Sequence, residues 1–268
     1  MSIIAKCDSN VINIIRTSFK MTKGFKGTFW GMYIAVGLIS ITMLLAVAYI
    51  YFPNFTTETM QTQEFMAKFK YTSILFLPVT ALLITGMEMV SLRYTRGEEV
   101  SVKNIFDYTK SIWNLTLIAF IIFVIRQIVI YIFNITTLTL QMDWLATVGI
   151  AIGWIINIIF LFSYMLVIDK RVGAIEAMKL SFIAVKKNLC IVLSIGIFFI
   201  LLLSVIVFSS LLMSISPFLG FILGLAGLLG IIWIAPAMFI SLFGLLYRMI
   251  FDGVEIDGVQ KGGTHFKV

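Results

Sequence analysis

The sequence predicts an all-α integral membrane protein, with six transmembrane helices in three hairpins and a cytoplasmic interfacial amphipathic helix before each hairpin. Two observations support this fold class. The 268 residues are 60% hydrophobic and 12% charged, with a mean hydropathy of +1.06, and a soluble core of ordinary size cannot bury that much apolar surface. Long uncharged runs also alternate with short basic segments, as expected of spans and their connecting loops.

Six apolar runs are long enough to cross a bilayer, because about 20 helical residues cover the ~30 Å hydrocarbon core. The last run exceeds that length, and Pro236 predicts a kink in it, since proline removes a backbone donor and clashes with the preceding turn. We expect one polytopic domain over residues 1–268, ending in a flexible tail over 252–268. The predicted spans are 28–52, 72–92, 112–135, 144–168, 189–215 and 219–247.

Three short segments, one before each hairpin, combine an apolar face with a basic one. In the clearest, Ile175, Met178 and Phe182 share one arc of a helix at ~100° per residue, and the lysines occupy the adjacent arc. A helix of this kind lies flat in the membrane interface, with its lysines toward anionic headgroups. The predicted interfacial helices are 11–26, 101–111 and 174–188.

One pattern recurs in all three segments, since a phenylalanine is followed four residues later by a lysine. The lysines are predicted interfacial anchors in one plane near the cytoplasmic headgroups, with the phenylalanines turned toward the acyl chains or the bundle. The three pairs are Phe19 with Lys23, Phe106 with Lys110, and Phe182 with Lys186.

The basic residues also predict the orientation of the chain. All 20 Lys and Arg except Lys68, Lys70 and Arg126 fall in the termini or in two loops on the same side. The positive-inside rule places that side in the cytoplasm, together with both termini. The same placement beside apolar spans accounts for the net charge of +7 without nucleic acid as a partner.

Polar residues within the spans are the candidate functional residues, because each is costly in the membrane unless it is paired or hydrated. Arg126, deep in the third span, could bind an anionic headgroup or substrate; alternatively it snorkels outward or pairs with Asp143. Glu88 could couple protons, or contact Arg93 or a loop amide. Asn157 could contact a ligand or form an interhelical hydrogen bond.

Signatures of enzymes and of bound cofactors are missing from the sequence. The single histidine, His265, lies in the predicted tail, so no histidine-based triad or metal site is expected within the membrane. Cys7 and Cys190 stand at no metal-binding or redox spacing, and no disulfide framework is implied. Gly149 and Gly153 form a GxxxG pattern, which predicts close helix packing within the bundle. We expect a protein that is not an enzyme and has no cofactor.

Several stretches resemble a known family. They are GMEMVSLRYTRGEEVSVKNIFDY, DKRVGAIEAMKLSFIAVKKN, and a final Pro236 followed by Tyr247-Arg248. Together they resemble the YciC-like family of uncharacterised bacterial six-span inner-membrane proteins, which is related to the membrane domain of some glycerophosphodiester phosphodiesterases. Ile175 stands where such proteins often have a proline. The resemblance implies a bacterial cytoplasmic membrane and six spans, and it brings no established catalytic residues.

These observations predict a non-enzymatic protein of the bacterial cytoplasmic membrane that binds or moves lipids or other amphiphilic molecules. Its expected partners are membrane lipids and other membrane proteins. The alternative is a scaffold or accessory subunit of a membrane complex. Water access to Arg126 distinguishes the two, because a transport path hydrates the guanidinium and a packed scaffold does not.

Overall fold

The computed structural model describes residues 3–51, 72, 74–142, 144–197, 204 and 216–253, and the regular elements in these ranges are helical. Short 3₁₀ turns cover Ile74–Phe76, Val102–Phe106 and Thr109–Ser111, and π-helical segments cover Ile240–Leu245 and Arg248–Asp252. The α-helices are α1 (Ile3–Met21), α2 (Lys26–Tyr51), α3 (Leu77–Thr95), α4 (Ile112–Leu140), α5 (Trp144–Ile159), α6 (Ser163–Asp169), α7 (Ala174–Lys187), α8 (Leu189–Ile197) and α9 (Pro217–Phe239).

Five helical stretches among the described residues are long and apolar enough to cross a membrane, which makes the chain compatible with a multi-pass integral membrane protein. A sixth is added if α7 and α8, which are bent by 81° at their junction, count as one span. The predicted span 189–215 and tail 252–268 lie largely outside the described residues. The five stretches are Lys26–Tyr49, Ile74–Thr95, Val102–Thr137, Thr147–Asp169 and Ile222–Asp252.

The chain divides into two compact units, and the prediction of a single domain over 1–268 stays a prediction. The first unit comprises Met1–Phe29, Glu88–Ser101 and Lys186–Val268. In it, α1 packs on α9 and on the π-helical segment that follows. Cys190, also in this unit, is disulfide-bonded, which the cysteine spacing did not predict, because spacing reveals only local pairs.

The helix α1 buries an apolar stripe formed by Val11 and Ile14 while Arg16 and Lys20 stay exposed. Phe29, in the first turn of α2, continues the core, since its ring lies 5.6 Å from that of Phe239 in α9. The periodic apolar residues that make α1 amphipathic therefore pack against other helices of the protein.

Pro236 lies inside α9, and four residues later the α-helix gives way to the π-helical segment Ile240–Leu245. A proline cannot donate to the carbonyl four residues earlier, and a π-helix changes the hydrogen-bond pattern again. The helix geometry therefore changes close to Pro236, where the sequence predicted a kink in the last span.

The second unit comprises Trp30–Met87 and Val102–Val185. Its closest helix pair is α4 and α5, which are connected through Gln141 in a left-handed conformation with φ of 54°. A Cβ on Gly149 would lie 2.6 Å from the Cβ of Phe133. That distance is far below the 3.5–4.0 Å of an ordinary carbon contact, so a glycine is needed here for the two helices to meet.

The fourth predicted span is broken between α5 and α6, and Ser181 of α7 fills the break. Its hydroxyl donates to the carbonyl of Ile159 at 3.0 Å and accepts from the backbone N–H of Phe162 at 3.2 Å. These two bonds stabilise backbone groups at the break, where polar groups left unsatisfied in an apolar environment are costly. The small residues Ala177 and Ala184 let α7 approach closely enough for this contact.

The predicted interfacial helix 101–111 is two 3₁₀ turns, Val102–Phe106 and Thr109–Ser111, rather than one amphipathic α-helix. The amide of Asn104 donates to the carboxylate of Asp107 at 2.9 Å, and such local side-chain bonds compete with α-helix formation. The backbone of this segment also lies directly on α3: a Cβ on Gly86 would be 2.1 Å from the carbonyl oxygen of Ile105. The segment therefore packs against a helix through its main chain.

Candidate functional site

Arg126 is carried by α4 in the second unit and faces α5. A Cβ built on Gly153 would lie 3.6 Å from the Arg126 Nε. The guanidinium therefore lies beside the backbone of α5 at a residue that has no side chain. The Nε is buried, and no residue in the described part of the chain accepts a hydrogen bond from it. Within the described ranges, the site is thus a buried donor on a cationic group without an acceptor, which is expensive in an apolar environment.

Asn157 lies one turn after Gly153 on α5. Its amide donates to the Gly153 carbonyl at 2.9 Å, within its own helix, and the interhelical hydrogen bond stays a prediction. Arg126 and Asn157 nevertheless converge on the same glycine. The structure brings together two of the three polar residues that were predicted within the spans.

The charge balance of the α4–α5 pair is one-sided. Arg126 is the single charged residue in the sequence of α4, and α5 contains none. In a region of low dielectric constant, an uncompensated cation attracts an anion far more strongly than it would in water. The two helices therefore carry one cation and no anion among their residues, and Asp143, the acid in their connection, lies outside the described residues.

An apolar groove lies in the same unit, between the 3₁₀ turn that leads into α3 and the first turns of α4. Its volume is about 540 Å³, a size typical of small-molecule pockets. Thr116 is its one polar side chain apart from the indole of Trp113, and that hydroxyl already donates to the Ile112 carbonyl at 2.7 Å. The lining suits hydrocarbon; it comprises Ile74, Leu75, Leu77, Pro78, Trp113, Thr116, Leu117 and Phe120.

Glu88 belongs to the first unit, on α3, and is 4% exposed. Its Oε2 is buried and has no hydrogen-bond partner in the described part of the chain. The predicted contact with Arg93 is not made through the Arg93 Nε, which pairs with Glu98 at 2.7 Å. Glu88 is therefore a buried acid in its own right, separate from Arg126.

A network at the end of α3 was not predicted from the sequence. Arg96 makes a two-pronged ion pair with Asp252, with nitrogen–oxygen distances of 2.8 to 3.1 Å. Arg248 donates to the Thr95 carbonyl, and the Tyr94 hydroxyl is 2.8 Å from the carbonyl oxygen of Lys23. These residues are far apart along the chain, and no local pattern marks them as partners.

The three predicted anchors Lys23, Lys110 and Lys186 are all exposed. Their phenylalanines are also partly exposed, by 40% for Phe19, 45% for Phe106 and 46% for Phe182. Exposed phenylalanine beside exposed lysine fits a position at the membrane interface. That the three lysines share one plane stays a prediction.

Comparison with known proteins finds no family model that matches the chain, and no significant match among curated proteins or solved structures. Within the described ranges, no group of three or more His, Cys, Asp or Glu side chains could hold a metal ion. Since no related protein supplies site residues, the candidate site rests on the structure alone. It comprises Arg126 and Asn157, which both contact Gly153.

Proposed function

We propose that this protein is a non-enzymatic membrane protein of the bacterial cytoplasmic membrane, with both termini in the cytoplasm, that binds anionic lipids or other anionic amphiphiles through Arg126. The observation that carries the proposal is the buried Arg126 Nε without an acceptor in the described part of the chain. A cation in this position needs a counter-charge or water, and a phosphate or carboxylate headgroup supplies both charge and acceptors.

Two further features support a lipid as the ligand class. Arg126 lies on α4, and the other residues of α4 and all residues of α5 are uncharged. An anion that reaches Arg126 therefore needs an apolar portion that is stable beside these helices. The groove between Leu75 and Phe120, lined by apolar side chains, offers a place for hydrocarbon in the same unit. An amphiphile, with one charged end and one apolar end, meets both requirements.

The experiment compares Arg126→Gln and Arg126→Lys for binding of a spin-labelled phosphatidylglycerol in detergent, with spin-labelled phosphatidylcholine as the neutral reference. Hydrogen bonds to charged groups contribute about 1.5–3 kcal/mol, so Arg126→Gln should weaken phosphatidylglycerol binding about 10- to 100-fold. Arg126→Lys should retain part of the affinity, because the charge remains while the planar fork of donors is lost.

Lys103→Gln is the matched control, because it removes one positive charge from an exposed position in the same unit. It should leave phosphatidylglycerol binding within about two-fold of the wild type, as expected for an exposed charge. Equal losses of phosphatidylglycerol binding in the Arg126 and Lys103 variants would show general electrostatic attraction and contradict a specific site at Arg126. Unchanged binding in both Arg126 variants would instead favour a scaffold role, with Arg126 as a structural residue.

A further inference from the structure

Glu88, Ser91 and Thr95 share one face of α3, within an arc of roughly 60° at 3.6 residues per turn. The Ser91 hydroxyl donates to the carbonyl of Phe239 at 3.3 Å. A Cβ on Gly244 would be 2.4 Å from the Thr95 Cγ2. This face of α3 therefore packs on the end of α9 and on the π-helical segment after it.

The two packed stretches run in the same direction, because Ser91 meets Phe239 while Thr95, one turn later, meets Gly244. Glu88 precedes Ser91 by about 4.5 Å along α3, and the same distance back from Phe239 reaches Pro236. The carboxyl group is thus level with the proline, where the carbonyl of Ile232 has lost its usual helical donor. A backbone carbonyl that lacks its helical donor is a suitable acceptor for an O–H group at this level.

Among the described residues of the first unit, the charged groups that could balance an ionised Glu88 are engaged elsewhere or exposed. The Lys26 ammonium lies over the ring of Trp233 in α9, 3.3 Å from its centroid. Farther along α3, Arg93 pairs with Glu98 and Arg96 with Asp252. On α1, Arg16 and Lys20 are exposed. The partner stretch contributes none, since no charged residue occurs between Lys187 and Arg248, and Arg248 donates to the Thr95 carbonyl about two turns from Glu88.

We propose that Glu88 is a reversible proton-binding site and that its proton keeps α3 packed against the hinge formed by Pro236 and the π-helical segment Ile240–Leu245. An unpaired carboxylate buried in an apolar bundle is costly, whereas a neutral carboxyl group can donate to a backbone carbonyl such as that of Ile232. Loss of the proton removes this donor and draws water or a cation to the charge, so the hinge loosens. The site is independent of Arg126, which lies in the other unit.

The first test uses dicyclohexylcarbodiimide, an apolar reagent that modifies protonated carboxyl groups. The full-length protein in lipid nanodiscs is labelled over a range of pH, and the adduct is located by peptide mass spectrometry. We expect an adduct on Glu88 that declines as the pH rises and is unaffected when sodium chloride replaces choline chloride. The exposed Glu98 and Glu176 are internal controls and should stay unlabelled. Protection by sodium would make Glu88 a sodium site, and no adduct at any pH would overturn the proposal.

The second test asks whether protonation acts on the hinge. Hydrogen–deuterium exchange of residues 240–252 is followed as a function of pH, after correction for the intrinsic exchange rate. Wild type should exchange increasingly fast as the pH rises, while Glu88→Gln, which mimics the neutral acid, should give a flat profile. Identical profiles in both proteins would show that Glu88 is only a structural residue. If Glu88→Gln does not fold, the carbodiimide labelling of the wild type still shows whether Glu88 binds a proton reversibly. Arg126→Gln should change neither readout, so this proposal and lipid binding can fail separately.

Discussion

Replacing Gly86 by alanine should destabilise the protein, because the backbone of Ile105 occupies the space that the new methyl group needs. A Cβ at residue 86 would be 2.1 Å from the Ile105 carbonyl oxygen and 2.7 Å from its carbonyl carbon. A relaxed carbon–oxygen contact is about 3.3 Å, so the segment must move by roughly 1.2 Å. Overpacking typically costs about 1–3 kcal/mol, and backbone obstacles place this site at the upper end.

Alanine also favours the helix by about 1 kcal/mol relative to glycine, so the net loss for Gly86→Ala is about 2 kcal/mol. This loss corresponds to a decrease in Tm of roughly 4–8 °C. The measurement is thermal unfolding of the purified protein in detergent, followed by the loss of the monodisperse peak in size-exclusion chromatography.

Gly37→Ala is the matched control, because Gly37 is also helical and has no atom within 4 Å of the position that a Cβ would take. It should leave Tm unchanged or raise it slightly through helix propensity alone. If Gly86→Ala raises Tm as Gly37→Ala does, the segment 102–106 does not lie on α3, and the predicted flat interfacial helix regains support.

Two further predictions concern the serine bridge and the topology. Ser181→Ala should cost about 2–3 kcal/mol, because a buried N–H and a part-buried carbonyl each lose a hydrogen bond to the serine hydroxyl. Ser163→Ala should be neutral or stabilising, since the Ser163 hydroxyl is buried without a partner in the described chain. Equal Tm values for the two variants would contradict the bridge. Single cysteines at Lys20 and Gln141, both exposed, should react with a membrane-impermeant maleimide from opposite sides of the membrane, and reaction from the same side would refute the predicted orientation.

Features that depend on composition and run length could be predicted from the sequence. The helical class and five of the membrane-length stretches follow from apolar runs of sufficient length, because no other backbone arrangement except a closed barrel satisfies its hydrogen bonds in lipid. Arg126 and Glu88 were recognisable for the same reason: a charge within an apolar run is conspicuous. Their surroundings were not recognisable, since these depend on which helix lies opposite.

Contacts between distant parts of the chain account for most of what sequence reasoning missed. Ser181 looks like an ordinary small residue until the break between α5 and α6 supplies two backbone groups for it. Gly86 looks like a tolerated helix glycine until the backbone of Ile105 is placed on it. Arg96 and Asp252 are 156 residues apart. In each case the signal is a steric or hydrogen-bonding fit that one sequence does not encode locally.

The helix α7 shows why an amphipathic pattern alone does not distinguish a protein contact from a lipid contact. Its buried face carries Ala177 and Ser181, whereas Ile175 is 51% exposed and Phe182 is 46% exposed. The buried face also carries Met178 and Val185, so part of the apolar arc packs on protein while Ile175 and Phe182 face outward beside exposed lysines. A hydrophobic arc read from the sequence combines both sets, because it weighs each residue by hydropathy and not by size. Small residues at the close contact and large apolar residues left exposed beside lysines are together what a helix at a lipid boundary requires.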